Sequence, residues 1–328
     1  MEKTLAMDAG LAQDLYLRML RIRKVEEKIA ELYPEQQMRC PVHLSVGQEA
    51  VAVGVCAALA SEDYAFSTHR SHAHYLAKGG NLKAMLGELY GRVTGCCQGK
   101  GGSMHLVDRS VGFLGAVPIV GSTIPIGVGA AFGTFLRKER RVTIVFLGDG
   151  ATEEGVFHEA VNFAVLKRLP VVFVCENNFF SVYSSLDVRQ PSTREIYELV
   201  RGYGLESHQG DGNDVEAVYG LTKAAAERAR AGSGPTFLEF KTYRWREHCG
   251  PHYDNHVGYR SEQEFEAWKA RCPVARFKQR LLQWGLASQQ DLDGVEATLT
   301  DEIEEAVAFA KSSPFPDPQL LGEHLYAP

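Results

Sequence analysis

The stretch TIVFLGDGATEEGVFHEAVNFAVLKRLPVVFVCENNFF, Thr143 to Phe180, constrains this chain more than any other. Two short apolar, β-branched runs, 142–147 and 171–175, flank a segment in which Val156, Phe157, Ala160, Val161, Ala164 and Val165 recur at helical spacing. Runs this short and this uniformly apolar suit strands buried on both faces. A strand, a helix and a second strand that pack back on one another form a unit whose strands are parallel. The pattern recurs downstream, helical over 215–231 and strand-like over 235–240. The fold class is therefore α/β, a parallel sheet flanked by helices.

Neighbouring strands lie about 4.8 Å apart, so residues just past their carboxyl ends face one crevice. Asp149 follows the first strand and Asn178 the second, so the two converge. One carboxylate and one carboxamide are an oxygen-only pair with too little charge to hold a divalent ion alone. That suits Mg2+ sharing its shell with phosphate oxygens and water. The backbone amides of Gly150 and Ala151, opening a helix expected to begin near Thr152, add anion support. Taken apart, GDG is a turn and ENN a strand-end loop; together on one unit they indicate a metal-bridged diphosphate site.

Composition narrows the setting. The 328 residues carry a formal net charge of −6 and 45% hydrophobic residues, with no basic stripe, which excludes nucleic acid as a partner. No window approaches eighteen uninterrupted apolar residues, and the first thirty do not read as a leader, so no membrane partner and a cytoplasmic, bacterial setting are expected. Seven cysteines without a repeated CxxC spacing fit reduced thiols. Three parts are expected. Residues 1–40 form a helical extension, amphipathic over 11–33, and 41–260 form the α/β domain, whose Gly-dense stretch to about 143 supplies ligand-lining loops. Residues 261–328 are helical and end in SSPFPDPQLLGEHLYAP, whose prolines oppose a regular element and whose Leu and Tyr call for burial against a neighbouring subunit.

The motifs HRSHAHYLAKG (69–79), GCCQGKGGSMHLVD (95–108), PIVGSTIPIGVGAAFG (118–133), GDG followed by ENNFF (176–180), and TYRWREHCG (242–250) occur in one order. In that order the chain resembles, from about Leu15 to Tyr326, the alpha subunit of the thiamine-diphosphate-dependent decarboxylating component of 2-oxoacid dehydrogenase complexes. Acetoin dehydrogenase alpha subunits belong to the same family. The resemblance implies the thiamine-diphosphate-binding fold, with thiamine diphosphate and Mg2+ as cofactors and a small-molecule substrate. It makes Asp149 and the Asn178 side chain metal ligands together with the Phe180 carbonyl. Arg70 becomes a diphosphate contact, Val120 and Val182 neighbours of the aminopyrimidine that hold the cofactor bent, and His248 a catalytic group facing the reacting carbon. It also implies a beta subunit supplying the glutamate that activates the aminopyrimidine, an α2β2 heterotetramer, and a lipoyl acyltransferase as acceptor. Departures stand beside the likeness. His69 replaces the usual tyrosine, so its phosphate contact becomes an imidazole one. Pro118 replaces a glycine, and Cys249 replaces a phosphorylatable serine. The loop 246–259 carries Glu247, Asp254 and Asn255 where substrate and acceptor would enter.

Other signals point less far. GVGAAFG (127–133) precedes a strand rather than following one, which suits close helix packing better than dinucleotide binding. Gly101 stands where a P-loop after Gly99-Lys100 needs Ser or Thr. The spacing of Cys249, His252 and His256 leaves zinc open. His72 and His74 read as structural hydrogen-bonders. Two other functions stay open: a two-subunit carboligase or transketolase-like enzyme, and an inactive cofactor-binding scaffold.

Overall fold

The computed structural model describes residues 7–323 and residue 325. Its strands are β1 (Tyr64–Ser67), β2 (Phe113–Ala116), β3 (Thr143–Gly148), β4 (Val171–Asn177), the short hairpin pair β5 (Phe180–Ser181) and β6 (Ser184–Ser185), β7 (Glu206–Asp211) and β8 (Thr236–Lys241). Six of them form one sheet in the order β2-β1-β3-β4-β8-β7, and every pairing is parallel. The helices are α1 (Ala9–Leu32), α2 (Glu49–Ala57), α3 (His72–Ala77), α4 (Leu82–Leu89), α5 (Thr123–Leu136), α6 (Gly155–Lys167), α7 (Leu186–Arg189), α8 (Ile196–Arg201), α9 (Val215–Arg230), α10 (Glu262–Lys269), α11 (Pro273–Gln283) and α12 (Gln289–Ser312). None of the described helices is long and apolar enough to cross a membrane.

The period-2 alternation of the central strands builds two cores. Ile144, Phe146, Val172, Val174, Leu238 and Phe240 point to one face, where α1, α2, α3 and α9 cover them. Val145, Leu147, Val171, Phe173 and Cys175 point to the other, under α5, α6 and α8. This double cover explains why the strands read as continuous apolar runs. The glycine-rich 127–133 segment lies inside α5. A Cβ at Gly127 would stand 2.4 Å from a Val145 methyl, so its glycine serves helix-to-sheet approach.

From β1 the chain winds to β2 on one side, and from β3 to β4 on the other. The crevice of such a reversal opens at the carboxyl ends of the strands. Gly148 pairs with Glu176 across β3 and β4, so Asp149 and Asn178 leave the sheet at the same edge.

Two local expectations change. The helix after β3 begins at Gly155, not near Thr152. Residues Asp149–Glu153 form a 3-10 turn closed by the Thr152 hydroxyl donating to the Asp149 carbonyl at 2.7 Å, and Glu154 is extended (φ −77, ψ 136). The Gly150 and Ala151 amides thus belong to a tight turn rather than a helix end. In the C-terminal arm the prolines do not prevent a regular turn: Pro318–Gly322 is a 3-10 helix capped by Asp317. The arm returns to its own chain, through Val93 N to Pro314 O at 3.0 Å, Arg92 over the Phe315 ring at 3.9 Å, and Lys100 Nζ to Leu320 O at 2.7 Å. Tyr326 lies outside the described residues.

Candidate active site

A cavity of about 200 Å3 opens at the carboxyl edge of β1 to β4. His69 and Arg70 reach it from the loop after β1, Pro118 and Val120 from the loop after β2, and Asp149, Gly150 and Ala151 from the turn after β3. Asn178, Phe180 and Val182 enter after β4, and His248 from the segment beyond β8. Every residue given a metal, cofactor or catalytic role in the sequence lines this one cavity; Glu247, Asp254 and Asn255 do not.

Its floor is charged and buried. Burial pushes the Asp149 carboxyl above its usual range, against the pull of the Arg189 guanidinium that pairs with it. Arg189 also pairs with Glu153. The Asn178 amide is oriented from two sides: its Oδ1 accepts from Phe180 N at 3.2 Å and its Nδ2 donates to Gln48 Oε1 at 3.4 Å. The Gln48 Nε2, itself buried, has no protein partner. Arg70 donates to the Leu44 carbonyl at 2.7 Å and the His248 carbonyl at 3.2 Å, tying three segments together. Burial lowers its pKa to about 10, which leaves it a cation at neutral pH. A carboxylate, an amide oxygen and a guanidinium form a donor set that fits a divalent cation beside a phosphate.

The mouth is different. Burial, then Arg70, lowers His69 and His248 to about 3, and His43 to about 2, so all three are neutral imidazoles. Val182 sits at φ +55, a left-handed conformation that a β-branched residue rarely adopts. Its carbonyl accepts from Arg244 at 2.7 Å, and Arg244 is buried and bonded to the Tyr259 hydroxyl at 2.9 Å.

The loop 246–259 departs from expectation. Asp254 does not face the entrance: it is buried, accepting from Arg260 at 2.5 Å and from the Tyr259 hydroxyl at 2.7 Å. Glu247 accepts from His252 N, and Asn255 donates to Glu262, each at 2.9 Å. The loop spends its polar groups on its own shape. Among the described residues, Cys249, His252 and His256 do not converge as metal ligands. All seven cysteines are free. His72 bonds Glu26 and Ser103, and His74 bonds Ser67 while stacking on Phe146 with centroids 3.7 Å apart, the structural roles expected of them.

His43, Gln48, Arg189 and Arg244 escaped the sequence reading. Gln48 lies in the Gly-dense stretch without being picked out itself, and Arg244 stands inside TYRWREHCG without a role assigned to it. His43 and Arg189 have no local signal, because their partners lie far away in sequence.

Buried charge gathered at the carboxyl edge of a parallel sheet defines an α/β protein built to take a charged cofactor there. Residues 17–319 match the family described as "Dehydrogenase E1 component", and the chain belongs to that family. It is 41% identical over 320 residues to the pyruvate dehydrogenase E1 component subunit alpha of Porphyra purpurea, covering 95% of this chain and 92% of the relative. The subunit of that description from Rickettsia bellii is 39% identical over 308 residues, covering 94% and 93%. The alpha subunit of acetoin:2,6-dichlorophenolindophenol oxidoreductase from Bacillus subtilis is 39% identical over 309 residues, covering 94% and 91%. Membership makes the chain an alpha-type component of a thiamine-diphosphate-dependent dehydrogenase, an oxidoreductase.

Proposed function

We propose that this chain is the alpha subunit of an α2β2 enzyme that cleaves a 2-oxoacid or acetoin and passes the acyl group to a lipoyl acyltransferase. The observation that carries the reading is the buried floor of the cleft, where Asp149, Asn178 and Arg70 meet. Asp149, the Asn178 amide oxygen and the Phe180 carbonyl would hold Mg2+, with Arg70 and the Gly150 and Ala151 amides on the diphosphate. Arg189 pairs with one oxygen of the Asp149 carboxylate, Oδ2, so the other oxygen is the one open to the metal. Val120 and Val182 supply apolar surface on which the aminopyrimidine rests. Thiamine diphosphate, when bound, supplies the nucleophilic carbon. His248, held neutral, donates a hydrogen bond to the oxygen that gains charge, rather than carrying a proton as an imidazolium.

The activating glutamate comes from the beta subunit in this reading. The exposed apolar rim of the cavity, Ile119, Val120 and Val182, supports a second surface closing over it. Residues 41–260 bind the cofactor in this reading; 1–40 are a helical extension, and 261–328 a helical region whose arm packs on a partner subunit as well as on this chain.

Asp149→Ala tests the floor. It removes the one charged metal ligand and leaves neutral oxygens. Calorimetry of the reconstituted complex is expected to show no saturable Mg2+-dependent thiamine diphosphate binding. Affinity within a few-fold of wild type sinks the assignment.

A further inference from the structure

After α4 the chain coils through the segment 95–105, which holds two adjacent cysteines, Cys96 and Cys97. Four backbone amides of this segment converge on one side chain. The buried Glu88 carboxylate accepts from Cys97 N at 2.7 Å and Gly99 N at 2.9 Å on one oxygen, and from Gly101 N at 2.7 Å and Gly102 N at 3.0 Å on the other. Its acceptor positions are thereby filled. The Cys96 and Cys97 sulfurs lie within 4.8 Å of each other and of that carboxylate. Both line an open pocket of about 480 Å3 with Gln98, Lys100, Gly101 and His105, none of which lines the cleft.

Two touching thiols that share one open pocket are the arrangement of a thiol that is oxidised beside a thiol that resolves it. The Cys96 thiol donates to the Cys97 sulfur, which draws Cys97 below the ordinary thiol range and pushes Cys96 above it, while burial and the Glu88 carboxylate oppose a thiolate at Cys97. Cys97 in turn donates to the His105 carbonyl at 3.0 Å, a bond given up when its proton leaves. The two neighbours thus have different roles: Cys97 attacks and Cys96 follows. We propose that Cys96 and Cys97 form a peroxide-reactive modification site that closes reversibly to a vicinal disulfide.

The steps balance. The Cys97 thiolate attacks one oxygen of the peroxide, the O–O bond breaks, and the far oxygen takes a proton and leaves as water. The Cys96 sulfur then attacks the resulting sulfenic acid; the S–S bond forms, the S–O bond breaks, and the hydroxide leaves as water with the Cys96 proton. Two thiols lose two electrons and one peroxide gains them. Adjacent Cα atoms are about 3.8 Å apart across a trans peptide, short of the roughly 4.4–6.8 Å usual for a disulfide, so closure must twist the backbone between residues 96 and 97. A bond made under that constraint is readily reduced, which makes the site a labile one. The twisted peptide carries the Cys97 N–H that bonds Glu88, so closure loosens the Glu88 cradle. The segment runs on to Ser103, whose hydroxyl bonds His72 at 2.7 Å, and to Met104, which lines the cleft. Oxidation therefore loosens one wall of the cleft, and the modification itself needs neither cofactor nor partner.

The test uses the full chain, reduced and then freed of reductant, with hydrogen peroxide as the probe. Cleavage after Arg92 and Lys100 isolates the peptide 93–100, which holds Cys96 and Cys97 and no other cysteine. That peptide is expected to lose the mass of two hydrogen atoms before Cys249, the exposed thiol that burial and Glu247 push up, has lost half of its alkylatable form. Dithiothreitol is expected to restore both thiols. Cys96→Ser is expected to leave Cys97 as a sulfenic acid that dimedone captures, and Cys97→Ser to slow oxidation at residue 96 to no more than the rate of Cys249. Hydrogen exchange at the Gly99, Gly101 and Gly102 amides is expected to rise in the oxidised wild type and not in Cys97→Ser treated alike. A peptide that keeps both thiols while Cys249 oxidises overturns the proposal, as does a disulfide from either cysteine to Cys40 or to a second chain. Unchanged exchange in the oxidised wild type overturns the loosening of the cradle.

Discussion

On the floor of the cleft Asp149, Arg70 and Asn178 are 2%, 5% and 9% exposed, whereas at its mouth Ile119, Val120 and Val182 are 69%, 47% and 43% exposed. The floor handles charge, and this chain completes it alone: Arg189 answers Asp149, two carbonyls answer Arg70, and Gln48 answers Asn178. The rim of the mouth, outside its imidazoles, is apolar and bare. A single exposed valine needs no explanation, but three apolar side chains bordering one charged cavity mark a surface that something else covers. Charge must be neutralised before the protein can fold around it, while apolar surface can wait for a partner.

The largest effect expected from this contrast is seen by leaving the mouth uncovered. The chain without a beta subunit is expected to bind thiamine diphosphate weakly and turn over nothing. Decarboxylation by a preparation that mass spectrometry shows to hold no second polypeptide breaks the comparison, because the mouth would then be complete. Next in size is His248→Ala in the reconstituted complex. Loss of a group acting at the reacting carbon typically costs about 10²–10⁴-fold, and the buried floor should keep metal and cofactor affinity near wild type. Single-turnover kinetics and cofactor titration on one preparation separate the outcomes. Unchanged turnover removes His248 from the chemistry; lost cofactor binding makes it a residue that orders the loop through its carbonyl bond to Arg70.

The same contrast explains what could be read in advance. Asp149 and Asn178 were legible because parallel pairing converts two strand ends into neighbours, and strand ends show in the pattern of β-branched runs. The sheet was legible for the same reason, and α9 spans Val215–Arg230 against an expectation of 215–231. Arg189 was invisible. It reaches Asp149 from α7, a four-residue helix with no periodicity of its own. Asp254 was misplaced because exposure was inferred from polarity, whereas two buried arginines, Arg244 and Arg260, required a buried carboxylate. The 3-10 turn at Asp149–Glu153 escaped because GDGATEE offers the acidic first turn of a helix equally well.

The smallest effect sharpens the comparison most. Val182 is the first residue of the two-residue loop between Ser181 and Ser184, which pair across β5 and β6. Its φ of +55 is a value that such loops normally assign to Gly or Asn. A strained backbone of this kind costs about 1–3 kcal/mol, and Arg244 holds it in place through the Val182 carbonyl. Val182→Gly relieves that strain. It adds back about 0.5–1 kcal/mol of chain entropy, and little packing is lost because the side chain is already 43% exposed. Relief outweighs the entropy, so thermal unfolding of the chain is expected to shift upward by a few degrees, about 2–4 °C per kcal/mol for a protein somewhat smaller than this one. In the complex, the same variant is expected to weaken thiamine diphosphate binding, since an apolar contact at the mouth is gone. Greater stability with weaker binding shows that the strain is kept for the ligand. Lower stability would mean that Val182 packs rather than strains, and that the mouth, like the floor, is completed by this chain alone.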